Sequence, residues 1–288
     1  MISKRLTILF SAFFLTVVVA YGSGRTEEYD ETEPLEGAEE IEFELELGFA
    51  EISLRAGDAG DLFRISGTYD PEYSDPQVSV IRRGKSAFVS FDNNNRNNSR
   101  DFNKFKDSEI NDYYEIRLSP KPKTSLDMSL GLGECDINLD KLQIDELKLE
   151  SGLSEVTVGL ERANEIRAKR VSLETGLGEL KSYNLGFLRF DRLNVESGLG
   201  DVDLDLRGFE GEAYVSLSIG LGSCDLTVPK DAGVRVYYKD NFMSSIELDG
   251  FDKRTSDTYQ TDNWDSAKSH IEIDASIGMG SLNVFRRR

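Results

Sequence analysis

Carboxylates recur along this chain at positions that a repeat would bring together. Glu150, Glu174 and Glu196 each stand two residues before a glycine, and Glu134, Glu155, Glu179 and Asp201 each stand three residues after one. If those glycines mark equivalent points on stacked strands, the acidic side chains fall into two columns. Like charges directly opposite one another on paired strands are destabilising, so such columns attract counter-ions, and oxygen-rich clusters suit Ca²⁺. Lys148, Lys169, Arg170, Lys181 and Arg192 lie close in sequence and can neutralise much of this charge. The expectation is therefore a solvated, partly paired face without a resident metal. Glu150, Glu174, Glu196, Glu155, Glu179 and Asp201 are the candidates for a weak cation site.

Other chemistry is thinly represented. His270 is the only histidine, and no serine or cysteine stands in a nucleophile signature; a solvent-facing imidazole is expected. Glycoside chemistry needs acid and base groups clustered in a groove, usually beside aromatic platforms. Trp264 is the only tryptophan. It falls with Tyr113, Tyr114, Tyr237, Tyr238, Phe242 and Tyr259 outside the regular repeat, where these aromatics are expected to cap the terminal strands or, alternatively, to form a binding surface. No catalytic or cofactor-binding residue is identified and no cofactor is expected.

The glycines themselves define the elements that must position these side chains. Seven corners occur: Gly48-Phe49-Ala50, Gly131-Leu132-Gly133, Gly152-Leu153-Ser154, Gly176-Leu177-Gly178, Gly198-Leu199-Gly200, Gly220-Leu221-Gly222 and Gly278-Met279-Gly280. The five from Gly131 to Gly220 are 21, 24, 22 and 22 residues apart, a fixed period that signals one unit stacked on copies of itself. Before each corner apolar residues alternate, as in Val171, Leu173 and Leu193, Val195; this is the period of a strand with one buried face. Beyond it the parity flips, to Val156 and Val158 or Val202 and Leu204, as a bending strand requires if the same side is to stay inward. A weaker apolar pair eight to ten residues before the corners (Leu142/Ile144, Ile166/Ala168, Leu188/Phe190) suggests a third short strand per unit. The fold class expected is all-β: a single-stranded β-solenoid, parallel β-helix-like, of ~22-residue rungs, with the leucine of each corner stacked into an interior column.

Cys135 and Cys224 occupy the same inward slot four rungs apart. At ~4.8 Å per rung they are ~19 Å apart, beyond the ~7 Å that a disulfide spans, so both are expected as small core hydrophobes.

The organisation expected along the chain is as follows. Lys4 and Arg5 precede an apolar run from Leu6 to Ala20, shorter than the ~20 residues of a spanning helix and followed by small residues, so residues 1–22 read as a signal peptide. Residues 23–40 read as a flexible acidic linker. A β region at 41–124 carries a long Asn-rich loop at 92–106, which includes the formal glycosylation acceptor Asn97-Asn98-Ser99. Regular rungs fill 125–228, and 229–288 form a C-terminal excursion and a final rung. The excursions are expected to hold strands at Leu62–Tyr69, Gln77–Arg82, Ala87–Phe91, Tyr113–Ser119, Val234–Tyr238 and Ile246–Leu248, with a polar loop from Asp252 to Lys268. The closing Arg286-Arg287-Arg288 is read as a device against end-to-end pairing or as a weak anionic contact. With 53 acidic against 34 basic residues the net charge is −19, which disfavours nucleic acid and anionic lipid as partners of the main body.

The stretch from Tyr114 reading YEIRLSPKPKTSLDMSLGLGECDINLDKLQIDELKLESG and the ending IEIDASIGMGSLNVFRRR resemble the bacterial toast-rack family. They are also similar to adhesin-like domains and to the C-terminal domain of cell-wall-active-antibiotic response proteins. The resemblance covers about Ile41 to Phe285. It implies exported β-solenoids, with no catalytic residues to carry over. The function expected is a non-catalytic, exported envelope protein, periplasmic or at the cell surface. It would present a rigid surface to an envelope protein or a cell-wall glycan, as a monomer and with no membrane span after signal cleavage. A carbohydrate-active enzyme on a β-helix scaffold and an envelope-stress sensor domain are the alternatives.

Overall fold

A computed structural model describes residues 26–93, 112–239 and 241–287. The leader and the Asn-rich stretch from Asn94 onward, with its glycosylation acceptor, lie outside them. The chain is all-β, in strand order β1 (Glu27–Pro34), β2 (Glu40–Ala56), β3 (Asp61–Tyr69), β4 (Gln77–Arg83), β5 (Ser86–Asp92), β6 (Tyr113–Leu118), β7 (Lys123–Asn138) and β8 (Gln143–Gly159). There follow β9 (Arg170–Tyr183), β10 (Arg192–Asp205), β11 (Glu212–Pro229), β12 (Gly233–Tyr238), β13 (Ser244–Leu248), β14 (Phe251–Lys253), β15 (Thr258–Thr261) and β16 (His270–Arg287). Among the described residues no helix is long and apolar enough to cross a membrane.

All sixteen strands join one long mixed sheet with open ends. Its spine is the parallel series β2-β7-β8-β9-β10-β11-β16. Each member is a single strand of 14–18 residues that runs through its glycine corner without a break. The pairing is in register at every corner. Phe49 faces Leu132, Leu132 faces Leu153, and the series continues through Leu177, Leu199 and Leu221 to Met279. One contiguous core lies inside the bend, built from the alternating residues of both arms.

The third side of each unit departs from the expectation of a strand. Leu142, Ala168, Leu188 and Phe190 are buried in the same core, but they sit in turns, and Leu185–Leu188 form one short 3-10 turn. Ile144 alone of the third-side residues belongs to a strand, the start of β8. Two neighbouring residues in that turn region, Asn184 and Arg189, have left-handed backbone, which a continuous strand cannot contain.

The spine ends differently at its two poles, and there the pairing turns antiparallel. β2 is covered along its first half by β5 and along its second by β6; β4 then pairs β5, β3 pairs β6 and β1 pairs β3. The stretch read as a flexible linker thus contains a strand. Arg82 fixes it by donating to Glu33 at 2.8 Å and to the Leu35 carbonyl at 3.1 Å. At the other pole β12 and β13 cover the two halves of β16. The segment from Asp252 to Lys268, expected as a loop, supplies β15 and most of β14.

The corner geometry favours glycine at two sites, the first in all seven corners and the second in all but those of Ala50 and Ser154. A Cβ at the first glycine of an inner corner would come within 2.4–2.7 Å of the carbonyl oxygen of the preceding rung. At the second the conflict is sharper: in Gly200 φ is +145° and a Cβ would lie 1.8 Å from the Gly178 oxygen. Gly37 has φ +77° with nothing within 4 Å, so it suffers only the left-handed backbone cost of ~1–2 kcal/mol. Gly37→Ala is expected to lose about that amount in denaturant melts, and Gly200→Ala to lose more than twice as much or to fail to fold. Equal losses would show that the rungs can separate to admit a methyl group.

Candidate functional site

The corner residues point outward. Leu153, Leu177, Leu199, Leu221 and Met279 are 42–54% exposed, and Phe49 and Leu132 are half-buried. This corrects the expected interior column. The parity flip falls between the first glycine and the leucine, so both face solvent. The inward places on either side are taken by buried residues such as Ser151 and Ser154, Thr175 with the half-buried Gly178, or Leu47 and Ala50. The result is an apolar ladder seven rungs long, about 29 Å at ~4.8 Å per rung. Contiguous exposed apolar surface of this kind marks interaction sites rather than ordinary surface scatter.

Both ladder ends are finished by an asparagine side chain that replaces a neighbouring strand. The Asn93 amide oxygen accepts from Gly48 N at 3.1 Å, and its nitrogen donates to the Phe49 carbonyl at 3.3 Å. At the far end Asn241 donates to the Ile277 carbonyl at 2.7 Å, while Gly280 N donates to the Met243 carbonyl at 3.1 Å. Met243 and Phe242 are both exposed, Phe242 almost completely. They extend the apolar surface beyond Met279, so Phe242 is not the cap it was expected to be.

The six predicted carboxylates flank this ladder. Glu150, Glu174 and Glu196 face one another across β8, β9 and β10, as do Glu155, Glu179 and Asp201. Lys148 pairs Glu150 at 2.7 Å and Asp127 at 3.4 Å, and Lys181 pairs Glu179 at 2.8 Å. Glu174 accepts from Ser172 at 3.3 Å and Glu196 from Asn194 at 3.1 Å. Asp201 accepts from both the backbone N–H and the hydroxyl of Ser223, and these bonds hold its carboxyl below the usual carboxylate range. Among the described residues no group of three or more His, Cys, Asp or Glu side chains is arranged to hold a metal ion. An open groove of about 610 Å³ runs across the rungs over Gly131, Gly152, Gly176, Gly198 and Gly220, with Glu150, Glu174 and Glu196 at its side. No aromatic residue lines it.

The remaining candidates are structural. Cys135 and Cys224 are buried and unpaired, joined through Val156, Leu180 and Val202 in one inward column. Burial pushes both thiols up to about 12. The His270 ring is half-buried rather than solvent-facing. Its Nε2 lies 2.9 Å from the Trp264 carbonyl, and its ring meets Trp264 edge-on at 4.8 Å. Arg235 covers the indole face at 4.0 Å, so that indole serves as a packing clasp. Tyr114 and Tyr238 are buried as caps, whereas Tyr113 is exposed. Arg286 is not part of a free basic tail: it donates to the carbonyls of Lys230 at 2.8 Å and Gly250 at 3.3 Å. The exposed ladder was missed by sequence reasoning, although a large apolar residue directly after the first glycine of every corner, between two glycines in five of the seven, was its signal.

Two predictions follow from the titrating groups. In the folded protein neither thiol should react with iodoacetamide at pH 8, whereas both should react in denaturant; rapid labelling of the native protein would contradict their burial. Asp203 faces Asp225 on the next strand, and burial, Asp225 and Asp205 raise its pKa. An acid raised in the folded state weakens folding above its folded pKa, and the penalty is relieved as pH falls through that value. Asp203→Asn should therefore stabilise by a few tenths to ~1 kcal/mol at pH 7, with the gain vanishing near pH 3. A destabilised variant at pH 7 would refute the repulsion.

The family described as the N-terminal domain of toast_rack, DUF2154, matches residues 22–183. No curated protein sequence matches the chain. Three solved structures are similar. A candidate cell adhesion protein from Clostridium sporogenes is 16% identical, with TM-score 0.43, covering 91% of this chain and 100% of that one. A candidate adhesin from Bacteroides fragilis is 12% identical, with TM-score 0.30, covering 91% and 98%. A candidate lipid-binding protein from Parabacteroides distasonis is 11% identical, with TM-score 0.26, covering 93% and 98%. With more than half of its length matched by the family, the glycine-cornered chain belongs to the toast-rack family.

Proposed function

We propose that this protein is a non-catalytic, exported envelope component whose parallel stack acts as a β-solenoid, a rigid support for binding another macromolecule, either an envelope protein or a cell-wall glycan. The observation that carries this reading is the exposed ladder Phe49–Leu132–Leu153–Leu177–Leu199–Leu221–Met279. Leucine at a solvent-exposed corner adds nothing to the core, yet it or another large apolar residue occupies that place in every rung. A glycine floor on one side and acidic columns on both would keep the stripe accessible and the protein soluble. Burial of both thiols and pairing of Glu150 and Glu179 with lysines favour binding over chemistry. In this reading residues 1–22 are the signal for export and 125–228 the regular scaffold.

The test is site-specific photocrosslinking in the source cell. A photoreactive residue at Leu177 should give discrete adducts, while the same residue at Ser216, an outward position away from the corner, should not. Adducts sensitive to protease would identify a protein, and adducts sensitive to wall-degrading enzymes a glycan. Absence of adducts at Leu177, or equal yields at both positions, would overturn the reading.

A further inference from the structure

The ladder's surroundings narrow the partner, and this step rests on the reading just proposed. The stripe is flanked by Glu150, Glu174 and Glu196 on one side and by Glu155, Glu179 and Asp201 on the other, all in register. Among the described residues no ion pair forms at Glu174, Glu196 or Asp201, which accept hydrogen bonds from the neutral Ser172, Asn194 and Ser223. A second copy of this chain would bring two acidic borders against two others, and like charges so placed oppose association. An anionic lipid surface meets the same repulsion from a chain of net charge −19. Between Phe49 and Phe242 at its two ends, a glycan finds leucines and methionine in place of the flat aromatic faces on which sugar rings stack. What fits is an apolar stripe bordered on both sides by cations.

Spacing then selects the conformation. The ladder repeats every ~4.8 Å across the strands. An extended strand laid along it presents same-face side chains every ~6.7 Å and slips out of step after one or two rungs. An α-helix presents one turn per ~5.4 Å, so laid straight along the ladder it drifts only ~0.6 Å per turn against the rungs and stays within half a rung over about four turns. The ~29 Å of seven rungs corresponds to about 19 helical residues. Over Gly131–Gly220 the missing side chains leave the groove of about 610 Å³, enough to seat a row of side chains beside the leucines.

We propose that the corner ladder docks an amphipathic helix of a partner polypeptide, about 19 residues long, with its apolar stripe along the leucines and its Lys and Arg side chains against the flanking carboxylates. The leucines supply contact area, and the carboxylates set orientation and exclude acidic partners.

The test uses the full chain and three synthetic 19-residue probes followed by fluorescence anisotropy. One carries a leucine stripe with lysine borders, the second the same stripe with glutamate borders, and the third the lysine borders with serine replacing leucine. The first should bind at least tenfold more tightly than either control. Leu177→Ser/Leu199→Ser should weaken it at least tenfold while a cooperative melt is retained, since both side chains are about half exposed, and Leu177→Met/Leu199→Met should retain binding. Glu174→Gln/Glu196→Gln should weaken binding several-fold at 50 mM salt, a difference that collapses near 0.5 M as screening removes the attraction. Equal binding of the first and third probes, or parental affinity in the serine variant, would overturn the proposal. A crosslinked partner at Leu177 combined with failure of the first probe would reject the helix while leaving the broader binding role standing; no adduct at all would reject both.

Discussion

The approach of one backbone to the next at the glycine corners governs everything else in this molecule. Carbonyl oxygens of one rung occupy space that a Cβ of the next would need, down to 1.7 Å at Gly280. Parallel strands of 14–18 residues can therefore turn together, in register, without losing their hydrogen-bond ladder. The bend also creates the two inner faces that form the core. Stability and shape thus depend on atoms that are missing.

The same bend explains why the surface stripe exists. Inward residues immediately before and two after the first glycine already fill the inside of the corner, and in the central rungs they are small: Ser151, Thr175 and Ser197. Nothing remains for the leucine but the outside. The hydroxyls of Thr175, Ser197 and Ser154 are buried without a hydrogen-bond partner among the described residues, which places the polar cost of the corner in its interior. A surface with leucine outside and hydroxyls inside inverts the usual arrangement. That inversion favours a binding face over a purely structural bend.

At its poles the molecule manages the exposed edges that a parallel stack leaves open. Antiparallel partners, β4 on β5 and β1 on β3, cover one pole, while β12, β15 and β14 cover half of the other. Asn93 and Asn241 supply side-chain amides where the corner column runs out of neighbours. The edge strand β1 carries five carboxylates in eight residues, EEYDETEP, and such charge discourages pairing with another chain. Specific irregularity is thus concentrated at the ends, where the repeat alone cannot satisfy the backbone.

Much of this was legible in the residues and some was not. Period, strand alternation, the register of the acidic columns and the slot shared by Cys135 and Cys224 all follow from spacing, because side chains alternate with period two and parallel rungs stack like on like. The direction of Leu177 did not follow. Alternation before the corner and after it leaves the phase reversal ambiguous by one residue, and only the folded corner, in which Gly176 and Leu177 both face solvent, decides on which side of the leucine it falls. Nor could the third side be read: Leu188 and Phe190 are buried whether they lie in a strand or in a turn. β1 escaped notice because its strand pairing uses an acidic, non-alternating segment held by Arg82 from far along the chain. By itself the sequence determined the repeat and what each rung places in line. The tertiary structure alone decided which of those lines face water, because that choice depends on how closely neighbouring backbones approach.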